Sequence, residues 1–308
     1  MLKRKALKKI FISLSCLGVF LIIYLFPTKN EELNTNIISS SESNVIYLKD
    51  NNNYISRVST VLTSKSNIDK IKEMIEILTI DSNKYIRDGF NKVIPKNTKL
   101  INVTLEDKLV KLNFSKELLN VDANNEEKMI EAIVYSITSL DNINYISIYV
   151  EGKILNKLPN SKKNLETILD RTIGINKEFN ITNITDTTKT TIYYISKYDD
   201  YYYYVPITKI MNNNISKIEV IIKELTSSKM LNTNLMSYLN SNTELLSYNE
   251  TDKTLLLNFN DSILTDINTN NILEEVTYSI NLSIKDNYDI NEVLYYVNDK
   301  IITTFSIK

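Results

Sequence analysis

Residues 67–78 read NIDKIKEMIEIL and residues 214–225 read NISKIEVIIKEL. In the first, Ile68, Ile71, Met74, Ile75 and Leu78 recur at spacings of 3, 3, 1 and 3, the stripe of an amphipathic helix. Adding 147 gives Ile215, Ile218, Ile221, Ile222 and Leu225, the same stripe. A pattern that returns at a nearly fixed offset marks a duplicated unit, and the chain is therefore read as two copies.

The copies extend in both directions. Ile101, Val103 and Leu105, a turn at Glu106-Asp107-Lys108, then Val110, Leu112 and Phe114 alternate as a hairpin with one apolar face. At an offset of 145 this becomes Leu246, Tyr248, a Thr251-Asp252-Lys253 turn, then Leu255, Leu257 and Phe259. A second helix carries Ile130, Ile133, Val134 and Ile137. The text match Tyr135-Ser136-Ile137 to Tyr278-Ser279-Ile280 aligns it at 143 with Leu273, Val276, Thr277 and Ile280. Asn124 or Asn125, and Asn270 or Asn271, are the expected N-caps. A closing strand at 146–154 returns at 293–301, and opening strand pairs precede each first helix at 45–48 and 54–62, then at 192–195 and 201–207. Each module reads β-β-α-β-β-α-β, an α+β sandwich in which a sheet carries helices on one face. The expected organisation is a basic segment and anchor at 1–26, a spacer at 27–44, domain 1 at 45–155, a polar linker at 156–188 with a short helix around 165–169, and domain 2 at 189–308.

The anchor rests on MLKRKALKK followed by IFISLSCLGVFLIIYLF, an apolar run over residues 10–26 that reaches the low end of a transmembrane helix. The basic flank places the bulk of the chain outside the cytoplasm. A lipoprotein signal at Cys16 and a cleaved signal peptide are the alternatives, each with a poor processing site.

Composition excludes several chemistries. There is no histidine and one cysteine, so Cys–His catalysis and thiolate metal sites are absent. Four glycines, none close to another, build no phosphate loop. Thirty-six basic and 37 acidic residues nearly cancel, which removes the bulk electrostatic case for nucleic acid. Glu126-Glu127 and Glu274-Glu275 resemble carboxylate pairs but sit at helix starts, where the macrodipole accounts for them, and alanine there is expected to have little effect. Asp199-Asp200 is expected as a turn, with Tyr201–Tyr204 on both faces of an exposed sheet. No catalytic, cofactor-binding or metal-ligating residue is assigned.

Residues 86–155 resemble the GerMN domain of the spore germination protein M family. The resemblance is carried by GFNKVIPKNTKL at 89–100, LNFSKEL at 112–118, EAIVYSIT at 131–138 and VEGK at 150–153. DRTIGIN at 170–176 resembles the stretch that follows the first such domain. The second copy departs, with Ser241-Asn242-Thr243 and Asp299-Lys300 where the first has its Pro-x-x-Thr and Gly-Lys. The resemblance implies ring-building-motif-like modules, a non-enzymatic role in sporulation and germination, and a place in a membrane assembly reaching the outer forespore membrane. The partners it implies are an extracytoplasmic protein or a further copy of the chain. A cell-wall or small-ligand-binding module, with peptidoglycan contact through tyrosines, is the alternative.

Overall fold

The computed structural model describes residues 44–183, 185–212, 214–227, 234–266 and 270–307. The expected anchor and Cys16 lie outside them; among the described residues no helix is long and apolar enough to cross a membrane.

The first module contains β1 (Asn44–Asp50), β2 (Ile55–Thr60), α1 (Asn67–Leu78), β3 (Phe90–Asn91), β4 (Leu100–Glu106), β5 (Leu109–Phe114), α2 (Glu126–Ile137), β6 (Tyr145–Val150) and β7 (Lys153–Ile154). After it come β8 (Glu178–Asn180), β9 (Thr188–Tyr198), β10 (Tyr201–Met211), α3 (Lys217–Leu225), β11 (Leu245–Thr251), β12 (Thr254–Phe259), α4 (Glu274–Asn287), β13 (Glu292–Val297) and β14 (Lys300–Ser306).

The helical stripes become core. Ile71, Met74 and Leu78 of α1, and Ile218, Ile221 and Leu225 of α3, are buried, each such side chain contributing about 1.5–3 kcal/mol. Ser66 caps α1, its hydroxyl accepting the Asp69 N–H at 3.2 Å. Glu73 inside α1 accepts N–H groups from Thr63 at 3.0 Å and Ser64 at 3.1 Å, tying the preceding loop to the helix. Burial opposes ionisation of Glu73, but these bonds and the neighbouring hydroxyls outweigh it and hold its pKa at about 2.

Each module closes with a four-stranded sheet of the same order, β4-β5-β6-β7 and β11-β12-β13-β14. In both, the first and last pairs are antiparallel and the middle pair is parallel. A parallel pair needs a crossover, and α2 and α4 supply it. The expected closing strands are hairpins instead: the chain turns at Glu151-Gly152 and at Asn298-Asp299, all four at positive φ.

A single sheet with helices on one face is not what forms. The opening hairpins leave their modules and join in one six-stranded sheet of order β3-β1-β2-β10-β8, with β9 also paired to β10. Helix α2 therefore serves two sheets, packing on β1 while crossing over between β5 and β6, and it is buried without a break from Met129 to Ile137. The alignment of the second helices also needs correction. The buried positions Met129, Ile130, Ala132, Ile133, Ser136 and Ile137 of α2 match Val276, Thr277, Ser279, Ile280, Ser283 and Ile284 of α4 at a constant 147. Positions four apart share a helix face, so an apolar stripe tolerates the four-residue error that the Tyr-Ser-Ile match introduced. Asn125 does cap α2 by position, but without a side-chain cap bond, and Leu273, not Asn270 or Asn271, precedes α4.

Candidate interaction surfaces

The two modules meet along a seam. Strands β2 and β10 run antiparallel and touch at one pair, Arg57 with Tyr204. Around it, Tyr47 of β1 and Tyr193 of β9 reach across the sheet. Each backbone N–H is held by a helix serine at 2.9 Å, Ser136 for Tyr47 and Ser283 for Tyr193. Their phenols then meet at 2.9 Å. Like positions of the two copies meeting face to face is the signature of a pseudo-two-fold axis. Tyr193 donates to Asp286 at 2.6 Å, which leaves Tyr47 as donor to Tyr193. Burial, and then the Asp286 charge, push the Tyr193 phenol well above its usual pKa and keep it a donor.

The stretch at 156–188, expected as a linker, is a structural part of this seam. Arg171 enters between α2 and α4. It pairs with Asp286 at 2.5 Å, donates to Thr138 Oγ1 at 3.0 Å and to the Tyr135 carbonyl at 3.1 Å, and lies over the Tyr135 ring at 4.9 Å. Where β2 and β10 part, the Asn176 amide fills the gap. It donates to the Ile55 and Pro206 carbonyls and accepts the Ile55 N–H, each at 2.8 Å. The helix expected around 165–169 does not form; a 3-10 turn at Arg171–Ile173 presents the arginine instead.

The tyrosine run also belongs to the seam. Asp199-Asp200 is the expected turn, but the sheet beyond it is not exposed. Tyr203 is buried, donates to Asp50 of the first module at 3.0 Å and packs edge-on against Phe90, while Tyr204 packs on Tyr278. Arg87 lies 4.1 Å over Tyr201. These aromatic faces are occupied by protein.

The first glutamate pair binds the fold, whereas Glu274 and Glu275 stand in the first turn of α4, as expected. Glu126 is buried and accepts the N–H groups of Asn160 at 2.8 Å and Ser161 at 3.0 Å, fastening the connector to α2. Glu127 pairs with Lys163 and, at 3.4 Å, with Lys177. Dipole compensation alone is therefore an incomplete account of Glu126, and alanine there removes the acceptor of two backbone N–H groups. Sequence reasoning missed Arg171, Asn176 and Asp286, whose roles depend on segments far apart in the chain. Among the described residues, no group of three or more histidine, cysteine, aspartate or glutamate side chains is placed to hold a metal ion.

The sequence profile of the family described as "Germane: Sporulation and spore germination" matches residues 45–156 and 191–303. The chain belongs to the Germane family. It is 28% identical over 280 residues to the spore germination protein GerM of Bacillus subtilis, covering 88% of this chain and 76% of that one. Its fold is similar to the solved tandem GerMN domains of the sporulation protein GerM from Bacillus subtilis, with a TM-score of 0.76, 27% identity, and coverage of 84% of this chain and 91% of that one.

With the Germane modules paired, some sheet edges are closed and others open. Ser136 and Ser139 cover the β1 edge, and Ser283, Asn287 and the Met236 backbone cover β9. Among the described residues, the first strand of each four-stranded sheet, β4 or β11, has no strand beyond it. Between α1 and β4 runs an open groove of about 740 Å³, lined by Ile68, Ile75, Leu100 and Ile101 among others. An unpaired edge beside a helix can accept an extended segment of another chain.

Proposed function

We propose that the protein is a non-enzymatic, membrane-anchored extracytoplasmic component of a sporulation-associated membrane assembly, working through contacts of its paired modules. The observation that carries this reading is the match of both modules, in one tandem arrangement, to the GerMN domains of a sporulation protein. The bonding of the carboxylates supports it: Glu126 is engaged in holding the connector, and Asp286 in holding the seam. The alternative of a wall-binding platform loses Tyr203 and Tyr204, which are buried.

The test is a deletion in the source organism followed through sporulation, with a fluorescent fusion of the full chain as complement. Synthesis restricted to sporulating cells, signal at the membrane and a sporulation or germination defect are expected. Intact-mass measurement of the membrane form should find residues 1–26 attached. Production in vegetative cells with no spore phenotype would sink the assignment.

A further inference from the structure

The second module's outer strand, β11, differs from its counterpart in a way that defines a partner. All of Leu246–Thr251 is exposed along it, whereas Val103 of β4 is buried and α1 packs beside that strand. Leu246 is 49% and Tyr248 42% exposed, with Ile215 near the start of α3 at 40%. The turn at Asp252-Lys253 closes on the pair Thr251–Thr254. The pair flanking a two-residue turn directs its hydrogen bonds inward, so alternation turns the backbone N–H and C=O of Tyr248 and Glu250 outward. Natural edges are commonly guarded by lysine, and β11 contains none.

The Tyr288 hydroxyl accepts the Ile218 N–H at 2.9 Å, and its phenol lies within electrostatic reach of Tyr248, Glu250 and Glu219. An exposed edge, unpaired among the described residues and carrying apolar side chains, is the geometry that receives an added strand. Its electrostatic setting is one-sided. Residues 241–308 hold eleven acidic and four basic side chains, whereas the matching stretch of the first module, 94–161, holds nine and eight. On the strand side, Glu244 stands where the first module has Lys99.

We propose that the open edge of β11 docks a basic, extended segment of a partner protein, which adds to the sheet as a strand beyond β11. This rests on the contact reading above and names its site and the chemistry of its occupant. The outward groups of Tyr248 and Glu250 pair with the partner's backbone. Leu246 and Tyr248 take its apolar side chains, and Glu244 and Glu250 meet its cations.

The probe is a synthetic peptide of alternating valine and lysine, titrated into the purified full-length chain by calorimetry. Controls are the valine–glutamate peptide and a form N-methylated at alternate residues. The lysine peptide should bind about tenfold or more tightly than either control and weaken with salt. Glu244→Lys with Glu250→Lys should lower its affinity by about tenfold, while Ile101→Lys in the first module's groove leaves it unchanged. Equal binding of the lysine and glutamate peptides, insensitivity to N-methylation, or loss through Ile101→Lys instead would overturn the proposal. A chain that fails these titrations yet still localises and supports sporulation removes this edge while leaving the contact function standing.

Discussion

Gly89 has a φ of +88°, and a Cβ built there would lie 2.4 Å from the Tyr198 ring of the other module. Its place in the motif at 89–100 thus reflects a close approach across the seam as well as a backbone conformation that L-residues avoid. Gly89→Ala should cost about 1–3 kcal/mol in urea unfolding, from positive φ and overpacking together. Adding Tyr198→Ala should recover the steric part, giving a total loss smaller than the sum of the single losses. A neutral Gly89→Ala would mean that this contact is absent in solution. A similar single-residue effect sets the start of α3. Ser216 stands where α1 has Asp69 and forms a capping box with Glu219, so α3 begins one turn later than α1 relative to the repeat.

Helix α1 and the loop before it depend on Glu73, which gives this element a pH signature. The folded pKa of about 2 lies below the usual 4.5. The carboxylate's contribution is therefore fully present above pH 4.5 and is lost as the pH falls through the folded value. Glu73→Gln should lower the melting temperature at neutral pH and flatten its fall between about pH 4.5 and 2. An acid limb unchanged by this substitution would contradict the role given to Glu73. At the same scale, Ser136 and Ser283 show what a duplicated helix retains: besides an apolar stripe, each keeps a hydroxyl that satisfies the outer strand of its hairpin.

At the scale of the whole molecule, the seam couples the modules through buried polar bonds as well as through the shared sheet. The tandem should therefore unfold in one calorimetric transition. Arg171→Met leaves Asp286 buried without its cation and should destabilise by about 3 kcal/mol, with the transition broadening or splitting as the modules uncouple. Two resolved transitions in the unaltered chain would show that the modules are independent. A coupled pair holds the outer edges of β4 and β11 in fixed relation, and a partner engaging both gains from their joint presentation.

The duplication, the helical stripes, the hairpins and the absence of a histidine or cysteine site were legible in the sequence, because each is carried by periodicity or composition within a short window. The motif at 89–100 and the DRTIGIN stretch were legible as resemblance, without the reason for their glycine and arginine. Tertiary structure alone decided that the opening hairpins leave their modules to form a common sheet, since a strand edge pairs with whatever edge the fold brings to it. It decided the register of α4 against α2, because a shift of four preserves a helix face. It also made a polar stretch into a clasp. Arg171 and Asp286 lie 115 residues apart, and neither has a local pattern that names the other. Charge pairing and strand addition act through space, so the seam and the open edge at β11 appear only once the chain is folded.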